Sequence, residues 1–132
     1  MTEAGFNAFC RALPATTYVM QWGGSHIWKV GGKVFAIGRS HDGHLAYTFK
    51  TSDLSFQILA TQPGLRPAPY LASRGLKWIQ HFGKPGLSDG QLKDYLRQSH
   101  SMVAAGLSRK QQIALGLDGH VKPPPLKTPA AR

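Results

Sequence analysis

The sequence predicts an α+β domain of two layers, in which a five-stranded, mainly antiparallel sheet carries helices on one face. Apolar and polar residues alternate through residues 16–50, glycines interrupt that stretch at short intervals, and segments with helical periodicity lie on both sides of it. A chain of 132 residues can bury a core without disulfides or metal, so residues 1–117 are expected to form a single domain. Residues 118–132, which are rich in proline, are expected to form a flexible basic tail.

The first element is predicted to be a helix over residues 3–13. Its apolar residues recur at the i, i+3, i+4, i+7 spacing that places them on one face: Phe6, Phe9, Cys10 and Leu13. Pro14 is expected to end the helix, because proline disfavours the helical conformation in the residue before it.

Four strands joined by glycine-containing turns are predicted next. They are Thr16–Trp22, His26–Val30, Lys33–Gly38 and His44–Lys50. Gly31 and Gly32 fit a two-residue hairpin, which would pair Val30 with Lys33.

The lengths of the other two turns decide which side chains share a face. Three-residue loops are predicted at residues 23–25 and 41–43. A two-residue second turn would instead place Ile37 on the face of Thr48 and divide the apolar residues between the two faces.

With these loops, one face of the sheet is the predicted core. It holds Tyr18, Met20, Trp22, Trp28, Val30, Phe35, Ile37, Leu45, Tyr47 and Phe49. The other face is mixed, as expected for an antiparallel sheet that is wet on one side. It holds Thr17, Val19, Gln21, Ile27, Lys29, Val34, Ala36, Ala46, Thr48 and Lys50.

After the strands, a short helix is predicted over residues 53–60. Its inward side chains would be Leu54, Ile58 and Leu59. The proline-rich segment 62–70 is predicted to be an ordered loop, because its three prolines are unfavourable for regular structure. A fifth strand is predicted over residues 76–80, with Trp78 turned inward.

A long helix is predicted to begin at Ser88, which can form a capping box with Gln91. Its buried stripe would consist of Leu92, Tyr95, Leu96, Ser99, Met102, Val103 and Leu107. Ser108 and Gln111 repeat the capping box and open a short helix that is predicted to end near Gly116.

The charge balance is strongly positive. Sixteen Lys and Arg stand against six Asp and Glu, and only three of the basic residues lie in the predicted tail. Such an excess favours a polyanionic partner, because cationic groups release counterions from phosphate backbones. The alternative is that the charge serves solubility alone, and net charge does not decide between the two.

No set of residues typical of catalysis is found in the sequence. The single cysteine, Cys10, falls on the inward face of the first helix, where cysteine is usually a small hydrophobic residue. Among six histidines, His41 and His44 flank a turn, and none has a His or Cys partner at the spacing of a helical metal site. The Gly-x-Ser-x-Gly, Gly-x-Gly-x-x-Gly and Walker motifs are absent. The sequence predicts a protein that is not an enzyme and binds no metal or cofactor.

The compartment is predicted from the same features. One cysteine allows no disulfide within the chain, which is typical of a reducing environment. No signal peptide is recognised at the start, and no run approaches the ~18 apolar residues of a membrane span. The protein is expected to be cytoplasmic, without a membrane partner.

Basic and aromatic residues occur together in and around the predicted sheet. Lysines at strand ends can contact phosphates, and exposed aromatic rings can stack on bases. The residues predicted to bind nucleic acid are Lys29, Lys33, Lys50, Arg66, Arg74 and Lys77. The alternative is that the aromatic residues belong to the core and the lysines protect the sheet edges. Trp28 falls on the core face, which favours that alternative.

Several motifs together resemble the MmcQ/YjbR family over about residues 6–107. They are Leu13–Thr17, Trp22-Gly23, His26–Phe35, Phe49-Lys50, Pro63-Gly64, Pro67–Leu71 and Trp78. The resemblance implies a two-layer fold like that of type III secretion chaperones and a DNA-binding role. The family pattern carries over to Trp22, Gly23, Lys33, Phe35, Lys50, Tyr70 and Trp78. Ser99-His100 departs from it, since relatives usually carry Ser-Tyr there.

Three functions are compatible with these features. The first is DNA binding, with Lys29 and Lys50 on the open face of the sheet contacting phosphates. The second is a protein-interaction module or homodimer that uses the apolar residues of the same face, among them Ile27 and Val34. The third is a small-ligand binder with a pocket near the loop at residues 63–70.

Overall fold

The computed structural model describes residues 1–41, 43–69, 71 and 74–117. Asp42, Tyr70 and the predicted tail, residues 118–132, lie outside the described residues. The helices are α1 (Glu3–Ala12), α2 (Asp53–Leu59), α3 (Asp89–Ala105) and α4 (Arg109–Ala114). The strands are β1 (Thr16–Gln21), β2 (Ser25–Val30), β3 (Lys33–His41), β4 (His44–Lys50), β5 (Leu65–Pro67) and β6 (Trp78–His81).

The strands form one antiparallel sheet in the order β1-β2-β3-β4-β6-β5. This confirms the predicted α+β class, with six strands in the described residues where five are expected from the sequence. The additional strand, β5, lies inside the proline-rich segment predicted to be a loop. It pairs with β6 at the edge of the sheet, where Pro67 and its missing N–H are tolerated.

The first hairpin differs from its predicted register by two residues. Tyr18 lies opposite Trp28, and Met20 lies opposite His26. The connection is residues 22–24 rather than 23–25, and Trp22 adopts a positive φ of 50° there. A shift of two keeps the paired side chains of β1 and β2 on their predicted faces, while Trp22 moves from the strand into the turn.

A β-bulge in β3 has a larger consequence. Trp28 lies opposite Ala36, whereas the sequence predicts Phe35 at that position. Phe35 is the extra residue of the bulge and has no partner on β2. Because of the bulge, Phe35 and Ala36 are both fully buried and both belong to the core, although they are consecutive. The predicted place of Ala36 on the open face is therefore wrong.

The bulge also reverses the faces of the remainder of β3. Ile37 lies opposite Ile27 on one side and Thr48 on the other, so it faces away from the core. His41 lies opposite His44, which is the register of a two-residue turn and not of the predicted three-residue loop. The sequence argument fails here because it assumes an unbroken alternation along β3.

The core lies between the sheet and the helices. Its sheet residues include Trp28, Val30, Phe35, Ala36, Tyr47, Phe49 and Ile79, and its helix residues include Phe6, Cys10, Leu59, Leu92, Tyr95, Leu96 and Val103. The predicted inward faces of α1 and α3 are thus confirmed. Both predicted capping boxes, Ser88 with Gln91 and Ser108 with Gln111, are formed.

Inward predictions in α2 and β6 are also wrong. In α2, Leu54 and Ile58 are 57% and 44% exposed, and only Leu59 of the three apolar residues is buried. In β6, Ile79 is fully buried in the core, so its neighbour Trp78 points to the opposite face. Both segments are short, and a short apolar run does not identify its inward residue by periodicity alone.

Ser99 and His100 connect α3 to the rest of the fold. The hydroxyl of Ser99 donates to the carbonyl oxygen of Phe35 (2.6 Å) and accepts from the backbone N–H of Lys50 (2.9 Å). The hydroxyl therefore satisfies two backbone groups, one of which belongs to Phe35 at the bulge. His100 places Nε2 2.8 Å from the carbonyl oxygen of Pro14. The departure of this chain from the family pattern at His100 is accompanied by a buried contact between α3 and the end of α1.

Candidate nucleic-acid interface

One face of the sheet carries none of the residues of the core cluster and is called the open face here. Aligned side chains cross it from one edge strand to the other: Val19, Ile27, Ile37, Thr48, Gln80 and Arg66. Alternation along the strands adds Lys29, Arg39, Lys50 and Trp78 to the same face. Sequence and register together define these ten residues as the candidate site.

The centre of the open face is closed and its surroundings are basic. Ile27 is fully buried and Thr48 is 7% exposed, although neither belongs to the core cluster. Arg39 is exposed, and Lys29 and Lys50 are half-buried. A half-buried lysine keeps its ammonium group in water while its aliphatic stem covers apolar surface. The open face therefore has basic side chains around a centre of buried side chains.

The acidic residues of the described structure are confined to the helix layer, whereas basic residues occur on both layers. Four basic residues lie on the open face, and no Asp or Glu of the described residues lies there. The four described acidic residues are all on helices: Glu3, Asp53, Asp89 and Asp94. Because no carboxylate of the described residues shares this face with them, the basic groups of the open face contribute an attractive potential for an anion.

At the β6–β5 end of the open face, cations lie beside aromatic rings. Lys50 lies directly opposite Trp78. Arg66 donates from Nε to Oε1 of Gln80 at 2.8 Å, and its guanidinium carbon is 4.6 Å from the centre of the Phe82 ring. The hydrogen bond and the ring hold the guanidinium plane in one orientation.

The six residues predicted to bind nucleic acid are not all brought together. Lys29, Lys50 and Arg66 share the open face. Lys33 is exposed at the β2–β3 hairpin, opposite Val30, and so lies on the side of the core. Lys77 places Nζ 5.0 Å from the ring centre of Phe56 on α2, which is also the helix side. Arg74 is exposed in the connection before β6.

Arg39 is the basic residue of the site that is missed from the sequence. The predicted third strand ends at Gly38, whereas β3 continues to His41. Gly38 is required inside the strand, because a Cβ there would lie 2.6 Å from the ring of Phe6. The alternating pattern of Val34, Ile37 and Arg39 becomes visible only when the bulge at Phe35 is known.

Cys10, the residue considered as a nucleophile, is buried in the core. Burial raises the pKa of the Cys10 thiol to about 12, so the group is protonated at neutral pH and is a poor nucleophile. Among the described residues, no group of three or more His, Cys, Asp or Glu is placed to hold a metal ion. Cys10 thus acts as a core residue.

Large apolar side chains are exposed on β1, the edge strand of the sheet. Tyr18, Met20 and the adjoining Trp22 are 40%, 54% and 59% exposed, although the sequence predicts all three in the core. The strand has the sequence Thr-Thr-Tyr-Val-Met-Gln and carries no charge. An exposed, uncharged edge strand can pair with another strand.

A groove of about 460 Å³ lies between α2 and the start of α3. Its lining includes Ile58, Leu59, Gln62, Leu87, Asp94 and Tyr95. The carboxylate of Asp94 is paired with Arg97 at 2.7 Å. The groove reaches Gln62, at the start of the proline-rich segment. Its lining residues do not include a set typical of catalysis.

None of the described helices is both long enough and apolar enough to cross a membrane.

Comparisons with known proteins bear on the fold and the family. The family model described as YjbR matches residues 11–102. A crystal structure of the Deinococcus radiodurans protein DR2400, a DUF419 domain, superposes with a TM-score of 0.76 at 19% identity, over 88% of each chain. No curated protein matches the chain. At that identity, the structural likeness shows the fold alone.

Proposed function

The chain belongs to the YjbR family, and from this premise we propose that it is a DNA-binding protein that contacts phosphates through the basic residues of its open face. The group of cations on the open face carries the proposal. Lys29, Arg39, Lys50 and Arg66 share a face on which the described residues include no carboxylate. The family resemblance, which implies DNA binding, points to the same class of ligand.

The proposed role is non-catalytic and has a simple physical basis. Each ammonium or guanidinium group that meets a phosphate releases condensed counterions from the DNA, which favours binding at low salt. Contacts of this kind fix position and affinity but carry little sequence information. Binding is therefore expected to be strongly dependent on salt and weakly dependent on base sequence.

The test compares two variants of equal net charge. One replaces three cations of the open face, Lys29→Gln, Arg39→Gln and Lys50→Gln. The control replaces three cations of the helices, Lys93→Gln, Arg109→Gln and Lys110→Gln. Binding to fluorescein-labelled DNA, both as a strand and as a duplex, is measured by anisotropy over a range of salt concentrations.

The open-face variant is expected to lose at least about 10-fold in affinity at low salt. For duplex DNA, the slope of log K against log salt should fall by about two to three, since each phosphate contact contributes about 0.9. The control should retain most of the affinity and slope. Equal losses in both variants would show that net charge, and not the open face, governs binding, and absence of binding by the wild-type protein at low salt would refute the proposal.

A second candidate function is self-association through β1. Three large apolar side chains are exposed at this uncharged edge, whereas Ile27, the central apolar residue of the open face, is fully buried. A dimer would therefore use the edge strand rather than the open face. Antiparallel pairing of two β1 strands would satisfy their outward N–H and C=O groups and bring no like charges together.

Met20→Lys tests this candidate against Ile113→Lys. Both side chains are 54% exposed, but Met20 is on β1 and Ile113 is on α4. Sedimentation velocity from about 5 to 500 μM protein is expected to show a dimer for the wild type and for Ile113→Lys, and a monomer for Met20→Lys. A wild-type monomer across the whole range would exclude the edge-strand dimer.

A further inference from the structure

The β4–β6–β5 end of the open face differs from the rest because it presents flat groups as well as cations. Trp78 is half-buried there and lies opposite Lys50. Arg66 is on the neighbouring strand, with its guanidinium plane held between Gln80 and the Phe82 ring. This arrangement, which rests on the proposed DNA-binding function, indicates what form of DNA the face accepts.

Two stacking planes are available at this end of the sheet. One is the Trp78 ring, and the other is the Arg66 guanidinium, a group that stacks on planar rings. Arg66 lies opposite Gln80, which is two residues along β6 from Trp78. The two residues therefore belong to adjacent aligned rows of the sheet, whose backbone positions are about 6.7 Å apart along the strand.

Neither group can stack on a base that remains inside a duplex. Successive bases in a duplex are about 3.4 Å apart, and their flat faces are covered by their neighbours. A base can therefore lie on the Trp78 ring or on the Arg66 guanidinium only when one of its faces is uncovered, as in single-stranded DNA. A duplex could offer phosphates to Lys50 but no base face to Trp78.

We propose that the β4–β6–β5 end of the open face binds single-stranded DNA, with one base stacked on Trp78, another on the Arg66 guanidinium, and Lys50 on a phosphate beside Trp78. Stacking accepts any base, because every base has a π-face. The site therefore distinguishes unpaired from paired DNA rather than one sequence from another.

The contribution of each residue differs. Trp78 supplies a plane directly and is expected to act only on unpaired DNA. Gln80 and Phe82 are positioning residues, because they orient Arg66 through the 2.8 Å hydrogen bond and the 4.6 Å ring contact. Lys50 contributes charge and is expected to act on both forms of DNA.

The experiment uses the full chain and a dT15 strand beside a 15-base-pair duplex, both labelled with fluorescein. Trp78→Ala removes the plane, and Trp78→Phe retains a smaller one. Trp22→Ala is the matched control, since Trp22 is 59% exposed at the β1–β2 hairpin and lies off the open face. Circular dichroism and thermal melting verify that each variant is folded.

The wild type is expected to bind the strand more tightly than the duplex. Trp78→Ala should weaken strand binding by about 10-fold, from the loss of one base stack, and change duplex binding by less than about twofold. Trp78→Phe should recover most of the strand affinity, and Trp22→Ala should leave both affinities unchanged.

Two results would overturn the inference. One is that Trp78→Ala and Trp78→Phe bind the single strand as tightly as the wild type does. The other is that the wild type prefers the duplex and that Trp78→Ala loses the same affinity for both forms of DNA. Salt-dependent duplex binding in either case would leave the proposed DNA-binding function in place. If the wild type bound neither form at low salt, the proposed function would fail, and the inference with it.

Discussion

His81 is a single side chain that is expected to make the stability of this fold depend on pH. Its ring lies at the end of β6, 5.9 Å from the ring of Tyr47, and a Cβ on Gly86 would approach Nε2 to 2.3 Å. Both ring nitrogens are shielded from solvent, and among the described residues neither has a partner at hydrogen-bonding distance and angle. Burial lowers the pKa of His81, because the charged form would lose its hydration.

The lowered pKa of His81 predicts loss of stability on mild acidification. Its contribution is complete above the ordinary pKa of 6.5 and is lost as the pH falls through 6.5 toward the lower pKa of the folded state. Urea unfolding at pH 7.5 and 5.5 should show a lower free energy of unfolding at pH 5.5. In His81→Gln, which keeps the other five histidines, the difference between the two pH values should be smaller.

An unchanged difference between the two pH values in His81→Gln would mean that other groups govern the acid sensitivity. A steeper loss in that variant would contradict the direction of the pKa shift itself.

Single residues also show where prediction from sequence is limited. Cys10 and Phe6 can be placed in the core because helical periodicity extends over three turns of α1. Trp78 cannot, since β6 has four residues and hydrophobicity does not decide which of two neighbours faces inward. The larger Trp78 is on the open face and the smaller Ile79 is in the core.

At the scale of elements, the starts of the helices are predictable here, whereas the faces of β3 beyond its bulge are not. Capping boxes mark the starts of α3 and α4 in the sequence, and both are formed. The β-bulge at Phe35 has no comparable local signal. One inserted residue changes the faces of Ile37 and Arg39, so most of the candidate site on β3 cannot be derived from alternation alone.

The bulge depends on α3 through Ser99. Because the Ser99 hydroxyl contacts both Phe35 and Lys50, Ser99→Ala would leave a buried carbonyl and a partly buried N–H without this partner. The expected cost is about 1–3 kcal/mol in the free energy of unfolding, measured with urea. Ser101→Ala, at an exposed position of the same helix, is the control and should change stability by less than about 0.5 kcal/mol.

A cost for Ser99→Ala no larger than that of the control would show that the bulge does not require this hydroxyl. In that case the backbone groups at Phe35 and Lys50 must be satisfied by water or by other groups.

At the scale of the whole molecule, the sheet separates two roles. One face supplies the core beneath the helices, and the other collects basic residues without a described carboxylate. The excess positive charge of the sequence predicts a polyanionic partner in general terms. Which cations act together depends on strand order and register, which bring Lys29 from β2, Arg39 from β3 and Arg66 from β5 onto one surface.

The claim that DNA contacts the open face is tested most directly by lysine footprinting. The unmodified protein is acetylated with and without excess DNA at low salt, and the reactivity of each lysine is read by mass spectrometry. Lys29 and Lys50 are expected to lose reactivity when DNA is bound, while Lys93 on α3 and Lys110 on α4 keep theirs. Protection of Lys93 and Lys110 with unchanged reactivity at Lys29 and Lys50 would contradict the account.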